Sequence, residues 1–182
     1  MTKRPMHNLG KEHGDIEKIL KVMGKVAAKL RNGEEVNRKH LVKMVEFIRN
    51  FADKCHHGKE EGILFPELVK NPRHSKTINE WLGEHKTGRD YIRGITESLK
   101  TYKKGNPEAY HIAVNAQGYI QLLTEHINKE NTLFYKLDKE LPESLQAKLE
   151  ARFETLEKEI TGAGKLEIYH SWLQELQEIY LA

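Results

Sequence analysis

The chain of 182 residues has a single cysteine, Cys55, so no disulfide can form within it. A fold of this length must then hold by burial alone, and the thiol count fits a reducing compartment. No stretch is long enough or apolar enough to span a bilayer. The opening Met1-Thr2-Lys3-Arg4-Pro5-Met6-His7 has no apolar segment behind its charges, which predicts no secretory leader. Neither charge sign is in excess, with 30 basic and 27 acidic residues for a net charge of +3. No basic patch is interleaved with aromatics, which argues against nucleic acid as the main partner. Strand-like alternation and low-complexity tracts are missing as well. These absences leave a soluble helical protein, expected in the cytoplasm, with no nucleic-acid and no membrane partner. What the chain has in quantity is histidine, ten in all, which hints at metal or proton chemistry.

The hydrophobic pattern is helical throughout. Leu9, Ile16, Ile19, Leu20, Met23, Val26 and Leu30 recur at steps of three and four, predicting a first helix over 6–31. Asn32-Gly33 supplies its stop. A second helix carries Leu41, Met44, Val45, Ile48 and Phe51 and runs to about residue 70, with Pro66 kinking it or ending its regular part. Ser75 reads as the N-cap of a third helix over 76–103, and a fourth spans 108–139. Short connections join antiparallel neighbours, so the expected fold is all-α. It is an antiparallel up-down-up-down four-helix bundle over residues 1–140. Two amphipathic helices, near 143–160 and 165–181, form a C-terminal extension over 141–182. They are separated by Thr161-Gly162-Ala163-Gly164. This extension is expected on the outside of the same domain, with a homodimer contact as the alternative.

Two similar phrases stand out. His56 and Glu60 lie four residues apart and lead into Ile63-Leu64-Phe65, and His126 and Glu130 lie four apart and lead into Leu133-Phe134-Tyr135. Four residues are about one helical turn, so each pair shares a face. The plain alternative for either pair is an exposed helix ion pair worth a few tenths of a kcal/mol. Recurrence of the pattern before an apolar run argues against it. His57 and Glu61 offer the same spacing one residue on, about 100° around an α-helix, so both pairs cannot point squarely at one centre. Register against Phe65 and Tyr135 favours His56 and Glu60, while Glu61 stays open as a second carboxylate.

The first helix adds His13 and the third adds His85. Counting back to the turns at about 1.5 Å per residue brings all four helices' candidates to one layer of the bundle. The candidate metal ligands are therefore His13, His56, Glu60, His85, His126 and Glu130. Four imidazoles and two carboxylates without a thiolate suit two metals better than one structural zinc, with iron first and zinc, manganese or nickel open. His7, His40, His74, His111 and His170 lack a partner pattern and read as surface residues. Tyr119 lies seven residues before His126 on the same face, as a pocket or core residue.

These residues resemble the hemerythrin-like, or HHE cation-binding, family. The resemblance lies in His13, in the phrase Cys55-His56-His57-Gly58-Lys59-Glu60-Glu61-Gly62-Ile63-Leu64-Phe65-Pro66, in His85 and in the phrase from His126 to Tyr135, and it covers about residues 5–140. It implies a bundle holding two non-heme irons bridged by carboxylates and an oxo or hydroxo group. Glu60 and Glu130 would be the bridges, and His13, His56, His85 and His126 the terminal ligands. Oxygen carriers of the family have a second His four residues after the first on the third helix. Here that position is Arg89, which implies an iron that lacks an imidazole or takes water or another side chain. Glu130, four residues after its His where the carriers use an Asp at five, resembles the sensor and repair branches.

The expected function is binding of or reaction with O2, NO or peroxide in sensing, stress response or iron handling. A di-iron oxidase or peroxidase is the first alternative. A helical interaction module with a structural metal is the second.

Overall fold

The computed structural model describes residues 4–162 and 164–182. Met1, Thr2 and Lys3 of the opening segment and Ala163 of the C-terminal linker lie outside the described residues. Among the described residues there is no strand.

Helix α1 (Pro5–Arg31) begins with a proline in its first turn, where the missing N–H costs nothing. It ends with Lys29 and Arg31, which favour the negative end of the helix dipole. Gly33 then takes φ 72°, the left-handed conformation that turns the chain back. Asn37 caps α2 (Arg38–Phe47) by accepting from the Lys39 amide at 2.9 Å. The helix does not stop there. It widens into two π-helical stretches, π1 (Ile48–His57) and π2 (Glu60–Leu64), and narrows again in α3 (Phe65–Leu68). Pro66 sits in the first turn of α3, so its missing donor falls where the helix type changes.

One expected cap is corrected. A 3-10 turn, Pro72–His74, runs directly into α4 (Ser75–Leu99), so Ser75 is the first helical residue and not its N-cap. The capping side chain is Asn71, which accepts from the Arg73 amide. Helix α4 also stops earlier than 103, because Tyr102 turns inward to bond the Val36 backbone at 3.1 Å in both directions. Asn106 caps α5 (Pro107–Glu140). Helices α6 (Glu143–Thr161) and α7 (Lys165–Leu181) complete the chain.

Helix α1 packs on α5, α5 on α4, and α4 on the α2–π1 run, which returns to α1. This is the expected four-helix bundle. Its core is split in two. One apolar cluster gathers Ile16, Met23, Phe47, Ile95 and Ile112 near the two bundle turns. The other gathers Leu9, Leu64, Phe65, Trp81 and Phe134 toward the opposite end. On α1, the π1–π2 run and α4 the candidate ligands fall between the two clusters, and on α5 His126 and Glu130 flank Ile127 at the edge of the first, so a buried polar layer crosses the core. Helix α6 adds Leu149 and Phe153 to the second cluster, and α7 adds Tyr169, Leu173 and Leu176 to the first. Phe153 is 2% exposed. Its replacement by alanine is expected to cost about 3–5 kcal/mol through lost burial and a residual cavity. A lowered denaturant midpoint would show it.

Candidate metal centre

Six buried side chains were expected in one layer, and the structure brings all of them together. His13, His56, Glu60, His85, His126 and Glu130 are each no more than 1% exposed. They converge as two groups whose ligand atoms lie within 4.8 Å of one another: His13, His56, Glu60 and Glu130, and His57, Glu60, His85 and His126.

The carboxylates join the groups. Glu60 Oε1 lies 3.2 Å from His56 Nε2 and 4.0 Å from His13 Nε2, while Oε2 lies 3.5 Å from His85 Nε2. Glu130 Oε2 lies 3.1 Å from His13 Nε2, while Oε1 lies 3.0 Å from His126 Nε2 and 3.9 Å from His85 Nε2. Each carboxylate therefore gives one oxygen to each group.

His57 is the departure from expectation. Neighbours stand about 100° apart in an α-helix, but His56 and His57 end a π-helical stretch. The i→i+5 bonding of a π-helix widens the turn and shrinks the angle between neighbours. Both imidazoles then reach the centre, one in each group, with ring centroids 5.7 Å apart. His57 stacks on His85 at 3.8 Å. Glu61 does not join the ligand atoms. It turns outward and binds His85 and Arg89.

Arg89 also points away from the centre, to Asp53 at 2.8 Å and Glu61 at 2.7 Å. The second group's third imidazole comes from His57 instead. The sequence signal for this was present: two adjacent histidines on one helix and none at position 89.

Outside the ligand atoms, every Nδ1 has an oxygen partner. His13 Nδ1 meets Asn131 at 2.7 Å, His56 meets Glu12 at 2.8 Å, and His57 meets Asp53 at 3.4 Å. His85 meets Glu61 at 2.7 Å and His126 meets Glu84 at 2.6 Å. Donation from Nδ1 fixes the tautomer that turns the Nε2 lone pair inward, as outer partners of metal-bound histidines do. Glu12 and Glu84 are held in turn by Lys59 and Lys129. Sequence reasoning missed these partners, although four of them sit beside a ligand in the chain: Glu12 before His13, Glu61 after Glu60, Glu84 before His85, and Asn131 after Glu130.

The donor chemistry fits a cation. His13 Nε2 and all four oxygens of Glu60 and Glu130 are buried without a hydrogen-bond partner. Such orphaned atoms are expensive unless a positive centre meets them. His85 Nε2 and His126 Nε2 lie 2.9 Å apart, so two ring nitrogens converge where one cation would meet both.

Burial opposes charge on His126, yet Glu130 and Glu84 prevail and raise its pKa. Burial likewise opposes charge on His56, and Glu60 and Glu12 override it to about 10. His57 goes the other way, pushed down to about 4 by burial. Burial would raise Glu130, but the His126 and His13 imidazoles beside its two oxygens hold it well below the usual carboxylate range.

The remaining histidines stay apart from the cluster. None of His7, His40, His74, His111 and His170 is buried; His40 bonds Tyr180 at 2.8 Å and His170 lies 3.3 Å from Asp15. Tyr119 is 2% exposed and lines a cavity of about 320 Å³ with His57, His85, Gly88 and Arg89.

A four-helix bundle with a buried layer of inward-facing imidazoles and two shared carboxylates is a metal-binding bundle. A family model, the hemerythrin HHE cation binding domain, matches residues 4–137. The chain belongs to that family, and metal-cation binding follows from it. A search of curated proteins and one of solved structures each return no match. Among the described residues no helix is long and apolar enough to cross a membrane.

Proposed function

We propose that this chain is a cytoplasmic di-iron protein that binds or reacts with O2, NO or peroxide, in sensing, stress response or iron handling. One observation carries the reading: Glu60 and Glu130 each divide their two oxygens between the two histidine groups. A single ion would use one such group and leave the other's buried atoms orphaned. In this reading His13, His56, Glu60 and Glu130 hold one iron, and His57, His85, His126, Glu60 and Glu130 hold the other. His57 thus joins the six ligands expected from the sequence.

Nitrogen and oxygen donors without thiolate favour iron or manganese over a structural zinc site. Cys55 offers no thiolate, since burial pushes it up to about 12. When bound, iron supplies a Lewis-acidic redox centre with positions left for a small ligand. The protein's part is to aim the Nε2 lone pairs and keep bulk water from a layer closed above and below by apolar clusters. A cavity beside His57 and His85 offers an approach to it. Residues 141–182 belong, in this reading, to the same domain as residues 1–140, since α6 and α7 complete both clusters.

A second reading, a di-iron oxidase or peroxidase, is favoured by the size of that cavity. About 320 Å³ exceeds what a diatomic molecule needs and reaches the lower range of small-molecule sites.

The test is metal analysis with an anaerobic optical spectrum, followed by separate additions of O2, NO and peroxide. About two irons per chain, as in di-iron carboxylate bundles, and a new charge-transfer band on exposure are expected. His56→Ala should weaken both. One spectroscopically silent metal, or none, overturns the proposal. Repeated turnover of peroxide would select the enzyme reading.

A further inference from the structure

Lysine is almost never fully buried unless paired, yet Lys59 is 3% exposed. It sits between the two π stretches, immediately before Glu60. Its ammonium donates to Glu12 Oε1 and, at 2.6 Å, to Glu157 Oε2 of α6. The other oxygen of Glu12 accepts from His56 Nδ1 at 2.8 Å. A continuous line of charged hydrogen bonds therefore runs from Glu157 through Lys59 and Glu12 to one imidazole of the metal centre.

Glu12, Cys55 and Glu157 also lie close enough to suggest a third metal group. The Lys59 ammonium already stands between the two carboxylates, in the place a cation would take. The line instead connects the centre to a helix that lies beyond the family domain, which ends at residue 137.

We propose that Glu157, acting through Lys59 and Glu12, is a positioning residue for His56, so that α6 is a working part of the metal centre. This inference rests on the metal-centre reading above. Lys59 is shared between two carboxylates. Without Glu157 its whole charge falls on Glu12 and competes with His56 for that carboxylate. Glu12 is 14% exposed at its side chain, and without Lys59 it loses the cation that anchors it. In either case His56 is held less firmly and its Nε2 is a poorer donor. The effect is one-sided. His85 and His126 take their outer bonds from Glu61 and Glu84, which Arg89 and Lys129 hold without any contribution from α6.

The experiment uses the full chain loaded anaerobically with ferrous iron and then challenged with a chelator, the released iron being followed in time. Wild type is compared with Glu157→Gln, Glu157→Asp, Lys59→Met and Leu173→Ala. The last removes a buried α7 side chain and controls for lost stability away from the line. In Glu157→Gln and Lys59→Met one of the two irons should leave at least about tenfold faster while the other keeps its wild-type rate. Glu157→Asp should restore part of the difference, and Leu173→Ala should lower the melting temperature without separating the two rates. Glu157 is 35% exposed at its side chain, so its variants fold even where Lys59→Met does not. Unchanged release from Glu157→Gln, or the same split of rates in Leu173→Ala, overturns the inference. A wild-type chain that takes up no iron ends the metal-centre reading and this inference together. A wild-type chain that holds two irons, released identically in Glu157→Gln, ends this inference alone.

Discussion

Replacing Glu60 with alanine is expected to empty both halves of the metal centre. Glu60 is shared by both ligand groups and is fully buried. Its two oxygens face different histidines, His56 on one side and His85 on the other. Bound metal should fall from about two ions per chain, the number suited to paired histidine–carboxylate groups, to well below one. The thermal shift on metal loading should vanish with it. A ligand at about 1,000 times its dissociation constant stabilises the folded state by about 4 kcal/mol, and that gain is what the variant forfeits. In the metal-free protein the change should be smaller, because no bound cation is lost with the carboxylate. Metal content measured beside melting curves of loaded and metal-free protein separates the outcomes. An equal loss of stability in both forms would mean that Glu60 is a structural ion-pair partner and not a shared ligand.

His57→Ala should remove one metal and spare the other. The first group, with two imidazoles and two carboxylates, does not use His57; the second has it as one of three imidazoles. Removing an outer partner of a ligand typically costs tenfold to a hundredfold in affinity, and removing the ligand itself should cost at least that much. A titration should therefore show one tight and one weakened site. Adding Arg89→His to this variant tests the geometry further. Position 89 is one turn beyond His85 on α4, so an imidazole there faces the same layer. Partial recovery of the second site is expected. It would be partial because Arg89 now holds both Asp53 and Glu61. A variant in which His57→Ala leaves both sites intact would return the centre to the six ligands suggested by the sequence.

Much of this architecture was legible in the chain. The 3.6-residue pattern marked the helices to within a few positions, since each has a continuous apolar face and a proline, glycine or asparagine at its ends. The four-residue spacing of His56 with Glu60 and of His126 with Glu130 marked the centre, because one helical turn is the only regular geometry that stacks them. What the sequence leaves out has particular causes. Nothing local to Ile48–His57 announces a π-helix, so the angle between His56 and His57 was misjudged. Ser75 has the composition of a cap, but the preceding Pro72–His74 turn had already begun the helical path. Glu61 stood open as a second carboxylate, and nothing in the sequence marks Glu12, Glu84 or Asn131. Their role appears only when a neighbouring helix presents an Nδ1.

Those four outer partners are arranged in a circle. Glu12 of α1 serves His56 of π1, Glu61 of π2 serves His85 of α4, Glu84 of α4 serves His126 of α5, and Asn131 of α5 serves His13 of α1. Every bundle helix thus gives to the next and receives from the one before. Turning any one helix by a single residue, about 100°, would break the joint it makes and the joint it accepts. No helix can be fitted to the centre by itself, and no error of register can stay confined to one seam. The four joints work as a combination that opens only when all the settings agree, and the metal-binding layer thereby certifies the alignment of the whole bundle.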